Sequence, residues 1–146
     1  MKYRFILILS ILSISVGWSQ KEMTWEDLAD VTFTEKYFPE YGQFFLYPKF
    51  GDLVKTFEGE TVKIKGYFLN ISPQDKLFIL SKSPWASCFF CGMAGPETAV
   101  ELQFDDPPRF KTDDIVTITG KFVINPDDVM HFNYILVDCK AEKVVN

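Results

Sequence analysis

Thr61-Val62-Lys63-Ile64-Lys65-Gly66-Tyr67-Phe68-Leu69 is the stretch on which the fold turns. Val62, Ile64 and, past the glycine, Phe68 alternate with Lys63 and Lys65. Successive side chains of a strand point to opposite faces, so this period of two predicts a β-strand with one buried face. Gly66 inside the run points to a bulge or tight bend of the kind that closes a barrel. Working outward, the turn run Ser72-Pro73-Gln74-Asp75 leads into a second strand over 76–81. A third is expected over 98–104, where Val100, Leu102 and Phe104 share a face, and Asp105-Asp106-Pro107-Pro108 ends it. A fourth covers 114–124, again with an internal glycine, Gly120. Asn125-Pro126-Asp127-Asp128 turns the chain into a fifth over 131–138. Five strands, glycines inside two of them and no long helix predict an all-β protein with minor short helices. The expected architecture is a five-stranded OB-like Greek-key barrel over 58–146.

Residues 20–57 then form an N-terminal extension that packs on the barrel. Thr24-Trp25-Glu26-Asp27 starts a short helix: the Thr24 hydroxyl can accept from the amide of Asp27, and the acids suit the positive end of the helix dipole. Residues 31–50 are dense in aromatics and broken by Pro39, Gly42 and Pro48, which predicts two short extended segments. One helical turn is expected in 51–57. Ahead of the extension, Lys2 and Arg4 precede an apolar run over 5–16 and the small residues of Gly17-Trp18-Ser19. That order predicts a signal peptide, 1–19, cleaved before Gln20. The run is shorter than the roughly 20 apolar residues a spanning helix needs. No later segment is long enough either, so no transmembrane segment is expected after cleavage, and the location is periplasmic or secreted.

Cleavage removes two basic residues and no acid, leaving 13 basic against 20 acidic residues and moving net charge from −5 to −7. Arg109 is then the only arginine. Nucleic-acid binding wants clustered Lys and Arg, so no nucleic-acid partner is expected. The 15 Phe, 6 Tyr and 3 Trp make a substantial core feasible at this length.

Three runs carry a resemblance: Thr24-Trp25-Glu26-Asp27-Leu28; Tyr47-Pro48 through Glu58-Gly59-Glu60-Thr61-Val62-Lys63-Ile64-Lys65-Gly66-Tyr67; and Phe78-Ile79-Leu80-Ser81-Lys82-Ser83-Pro84-Trp85-Ala86-Ser87-Cys88. Together the chain resembles an uncharacterised family of small secreted bacterial proteins, a domain of unknown function with an OB-like core. The resemblance implies export and fold. In that family a histidine and a proline-rich loop often follow the cysteine; here Phe89-Phe90-Cys91-Gly92-Met93-Ala94-Gly95-Pro96 stands instead, so only Cys88 inherits any ligand role.

The three cysteines are the constellation with chemical interest. Cys88-Phe89-Phe90-Cys91 is a Cys-x-x-Cys, whose two sulfurs can meet one tetrahedral ion. If the fifth strand finishes beside the 83–96 loop, Cys139 becomes a third sulfur, with Glu97 and Glu101 as weaker oxygen candidates. Zinc or copper(I) suits such a set. On the same reading His131 starts the strand at the opposite end, about 23 Å away, and is set aside as a ligand. The competing readings are a disulfide staple, which is at home outside the cytoplasm, and inert buried thiols. A thiol redox role is disfavoured, because Gly92, Gly95 and Pro96 leave no helix N-terminus to acidify Cys88. A serine hydrolase lacks a base beside Ser83 or Ser87. Asp105-Asp106, Asp113-Asp114 and Asp127-Asp128 read as turn acids. Trp85, Phe89 and Phe90 crowd the cysteine loop, as a cap on the barrel or as a contact surface. The expected function is therefore an exported, non-catalytic binding module of the bacterial envelope. Its loop 84–97 takes a transition metal or touches an envelope protein or transport complex, with a disulfide-stapled interaction domain as the alternative and no catalytic residue assigned.

Overall fold

The computed structural model describes residues 20–88, 92 and 94–145. The expected signal peptide, Phe89, Phe90 and Cys91 lie outside the described residues. The chain is mostly β. Its elements are β1 (Lys21–Glu22), α1 (Trp25–Leu28), β2 (Val31–Phe38), β3 (Gln43–Phe50), α2 (Asp52–Lys55), β4 (Thr61–Ser72), β5 (Leu77–Ser81), β6 (Ala99–Leu102), β7 (Ile115–Ile124) and β8 (Tyr134–Lys143). Single 3-10 turns at Trp85–Ser87 and Pro96–Thr98 punctuate the long loop between β5 and β6.

Strands β4, β5, β6, β8 and β7 are neighbours in that order, and β4 also pairs with β7, which closes a five-stranded barrel. Residue alternation builds its interior: Val62, Ile64 and Phe68 of β4, Val100 and Leu102 of β6, and Val116, Ile118 and Phe122 of β7 are all buried in one cluster. Phe68 stacks on Phe78, and Phe104 and Phe110 meet these two rings edge-on. Gly66 sits in regular register opposite Val116, not in a bulge. Its missing side chain matters for another reason: a Cβ there would lie 2.9 Å from the Trp25 ring and 2.7 Å from the Ser81 carbonyl. The bulge is at the other glycine, where the β7–β8 register shifts between Thr119 and Lys121.

The N-terminal segment plugs one end of this barrel. The Thr24 hydroxyl accepts from the Asp27 amide while the Asp27 carboxylate accepts from the Thr24 amide, so the predicted helix start forms a capping box. The Trp25 indole donates to the Lys65 carbonyl at 2.8 Å. Leu28, Val54 and Phe57 enter the core beneath it. The Tyr134 hydroxyl donates to the Leu28 carbonyl at 2.7 Å across 106 residues of sequence. Burial, the main cause, pushes that hydroxyl's pKa well above the usual tyrosine value. β2 and β3 form a separate two-stranded antiparallel hairpin, with Tyr37 opposite Phe44 and Glu35 opposite Leu46. Among the described residues, no helix is long and apolar enough to cross a membrane.

Candidate functional site: a buried carboxylate and its histidine

β6 alternates as its sequence dictates. Val100 and Leu102 face the barrel interior, so Ala99 and Glu101 face outward. The outward face of β4, β5 and β6 is not open to water. Leu69, Ile79 and Ala99 are buried there together with Cys88, which the β5–β6 loop folds back over the sheet, and Phe132 packs at the edge. Glu101 stands in this row, directly opposite Ile79 on one side and Ile135 on the other. A carboxylate in such surroundings is costly unless its oxygens are bonded.

They are. Glu101 is only 6% exposed. One oxygen accepts from the His131 Nδ1 at 2.8 Å and from the Gln103 Nε2 at 3.0 Å. The other accepts from the Phe132 amide at 3.1 Å and lies 3.1 Å from the same His131 nitrogen. A carboxylate facing Nδ1 places a proton on that nitrogen and orients the ring. The β7–β8 loop is tied down from within as well. The Asn125 side chain donates to the carbonyls of Asp128, His131 and Phe132, and the Asn133 side chain donates back to the Asn125 carbonyl. Asp128 accepts from the Met130 amide. The run Asn125-Pro126-Asp127-Asp128, expected as a simple turn, is the start of a rigid loop that delivers His131.

His131, whose side chain is 46% exposed, stands at the rim of a hollow of about 440 Å³. Phe44, Phe45 and Leu46 of β3 form one wall, and Val129, Met130 and Phe132 form another, with Asp128 and Asn133 as polar points. Lys36 of the hairpin reaches the Asp127 carboxylate at 3.2 Å and lies over the Tyr47 ring, which joins the two walls.

The cysteines are placed differently from expectation. β6 and β8 run parallel. The loop that precedes β6 therefore lies where β8 begins, so His131 is at the loop's end of the barrel and Cys139 is not. Cys88 packs on Ala99 at the start of β6, whereas the Cys139 amide donates to the Gln103 carbonyl beyond its end. The two positions are separated by about 13 Å of strand. They also face different clusters, Cys88 the outer one and Cys139 the barrel core. Both are free thiols, and a bridge between them is not formed. The Cys139 thiol donates to the Leu136 carbonyl at 3.1 Å, and burial pushes its pKa up to about 12. Cys91 lies outside the described residues, and among the described residues no three His, Cys, Asp or Glu side chains converge as a metal site. Glu97 sits in the 3-10 turn Pro96–Thr98, where its charge adds to burial in keeping the Tyr134 hydroxyl protonated. The paired acids serve as turn and anchor groups: Asp113 accepts from the Trp85 amide, and Asp114 from the Lys111 amide and the Lys143 ammonium. The Lys143 hydrogen bond, with the Lys111 amide second, holds the Asp114 carboxyl below its usual range.

No protein-family model matches the chain, and no curated protein matches it. Among solved structures it is similar to the crystal structure of a DUF3299 family protein from Pseudomonas aeruginosa PAO1, a member of a family of unknown function. The TM-score is 0.55 at 14% identity, over 88% of this chain and 98% of that one. At that identity the likeness is one of fold.

Proposed function

We propose that the chain is an exported, non-catalytic binding module of the bacterial envelope, built on an OB-type barrel, and that its contact surface is the hollow beside Glu101 and His131. One observation carries the reading: a carboxylate removed from water and fully bonded holds an imidazole at the rim of an apolar hollow. Burying that charge opposes folding, and ligand sites combine apolar walls with a few fixed polar groups in this way. The OB-type assignment is supported by the closed order first, second, third, fifth, fourth strand, with the fourth returning to the first. Export is supported by the charge, apolar run and small residues of 1–19.

The test is site-specific photo-crosslinking in the native host, with the photoreactive residue at Leu46 or Met130 and, as a control, at the exposed Val145. Adducts at the first two positions and none at the third are expected. Equal labelling at all three would refute a contact surface at the hollow.

A second reading, zinc or copper(I) held by the cysteine loop, is favoured by one feature. The loop lays Cys88 on the same outer face as Glu101, and Phe132, next to His131, packs on that cluster. Cys139 has no part in it. Intact mass of the exported protein, native and denatured, with thiol counting decides: a mass retained only in the native state and lost in Cys88→Ser supports the metal, and no added mass removes it.

A further inference from the structure

The base and the tip of the β2–β3 hairpin are held in different ways. Val31 and Phe50 stand opposite each other at the base and pack in the barrel core. The Gly51 amide donates to the Asp30 carbonyl at 2.8 Å, and the Asp30 carboxylate accepts from the Leu53 and Val54 amides at 2.9 and 3.3 Å. That end is fixed to α2 and to the core. Further out the covered face changes. Partners across a ladder share a face, so Val31, Phe33, Pro48 and Phe50 lie on one side and Lys36, Phe38, Phe45 and Tyr47 on the other. The first side is buried at Pro48 and Phe50 but exposed by the time it reaches Leu46, Phe44 and Tyr37. The second side is covered only at the tip, by a small apolar cluster of its own. Phe38 is buried there, in ring contact with Phe45 at 5.6 Å and Tyr47 at 6.4 Å, and Tyr41 meets Phe45 at 5.7 Å. Phe33, Phe38 and Phe45 join neither apolar cluster of the barrel.

Over residues 32–49, among the described residues, one polar contact reaches the barrel: the Lys36 ammonium to the Asp127 carboxylate at 3.2 Å. Both side chains are open to water, 44% and 66% exposed. An exposed pair of this kind holds weakly and yields to salt. Its two halves are nevertheless preset. The Lys36 ammonium lies 3.8 Å from the Tyr47 ring centroid and 5.0 Å from that of Phe38, so it belongs to the tip cluster. Asp127 sits in the loop that the Asn125 and Asn133 side chains tie from within. The loop is the fixed body and the hairpin the one with freedom to move. The hollow lies between them, with Phe44, Phe45 and Leu46 on the hairpin and Met130 and Phe132 on the loop.

We propose, on the reading above, that the hairpin is a lid over the hollow. It swings as one piece about its base at Val31 and Phe50, and the Lys36 to Asp127 pair is the latch at its free end. Latched, β3 stands against the β7–β8 loop and the hollow has the width described above. Unlatched, the wall of Phe44, Phe45 and Leu46 moves off Met130 and Phe132, and the apolar interior is reached from the tip. The regulated quantity is access: conditions that weaken one exposed ion pair widen the hollow without unfolding either wall.

The experiment uses the mature chain with spin labels attached through p-acetylphenylalanine at Glu40, at the exposed tip, and at Met130, on the far wall, which leaves the cysteines untouched. Pulsed EPR gives the distribution of distances between them. Two populations are expected, the shorter one the larger. Asp127→Asn keeps the shape and removes the charge, and should raise the ratio of long to short about threefold, as should salt at about 1 M on the unaltered pair. Lys36→Glu should raise it as well, and Lys36→Glu combined with Asp127→Lys should bring it back. Melting temperatures should not move, because both side chains are exposed, and amide exchange along the β2–β3 ladder should be no faster in any variant. A single distance that neither salt nor Asp127→Asn alters overturns the proposal. So does a double variant that stays open, or an opening matched by faster exchange along the ladder, which is local unfolding and not a lid. Opening without crosslinks at Leu46 and Met130 would remove the contact surface and leave the lid; crosslinks there with one fixed distance would keep the surface and remove the lid.

Discussion

Deleting the Glu101 carboxylate tests whether the pair with His131 is a built feature. Glu101→Ala removes acceptors for the His131 ring, the Gln103 side chain and the Phe132 amide. Hydrogen bonds to a charged group contribute about 1.5–3 kcal/mol each. The sum is not realised in full, because the His131 ring and Gln103 side chain can turn to water and the carboxylate's own desolvation is relieved. The Phe132 amide has less freedom to do so. A loss of about 3 kcal/mol is expected for Glu101→Ala. His131→Ala leaves Glu101 two of its donors and should cost about 1.5 kcal/mol. The double variant should fall short of the sum by about 1 kcal/mol, the signature of groups in contact. Urea unfolding followed by tryptophan fluorescence gives the three values. Amide exchange over 125–133 shows whether the β7–β8 loop opens before the barrel does. A coupling below about 0.3 kcal/mol would refute the idea that Glu101 holds His131 in place.

Other outcomes follow from single contacts. Tyr134→Phe leaves the Leu28 carbonyl without its donor inside the core and should cost about 1–3 kcal/mol in urea, with the barrel otherwise unchanged. Gly66→Ala forces a methyl against the Trp25 ring and the Ser81 carbonyl, and a lowering of stability by about 1–3 kcal/mol is expected in the same assay. Cys139 should resist alkylation at neutral pH until the chain is denatured. Because its pKa is raised from 9.0 to about 12, stability is whole below pH 9.0 and declines between there and about 12, where the unfolded thiol ionises first; Cys139→Ala should flatten that alkaline limb. Asp114 has the opposite sign. Its folded pKa is lowered, so its contribution is present above 3.8 and fades as pH falls below it, and Asp114→Asn should narrow the difference between unfolding midpoints at pH 6 and at the acid end.

The barrel strands were legible because each buries one face and exposes the other, and alternation survives in the sequence as Val62-Lys63-Ile64-Lys65. The ends were less so. β8 runs on to Lys143 because its last residues pair with β7, although Cys139-Lys140-Ala141-Glu142-Lys143 is too polar to announce a strand. The hairpin of β2 and β3 read as separate extended pieces, because aromatics on both of its faces erase the alternation. The site was hidden by a direction. If each strand after the third reverses the one before, the fifth runs parallel to the third and begins beside the long loop. That count alone would have moved His131 to Glu101 and Cys139 away from Cys88. The expectation of a three-sulfur cluster rested on the reversed order. Nothing in the local sequence marks Glu101 as buried, since its cover comes from Phe132 and from the loop around Cys88, both remote in the chain.

The hydrogen bond between Tyr134 and Leu28 has a kinetic side. It joins positions 106 residues apart, and β8 also supplies the partners that link β6 to β7. A chain made from its N-terminus has the apolar plug of α1 and α2 available long before the strand that seats it. Loop closure over such separations is slow, so folding should wait on the last dozen residues. A chain halted after the β7–β8 loop would hold an open sheet with Leu28, Val54 and Phe57 uncovered, a form for proteases and chaperones rather than a smaller version of the native domain.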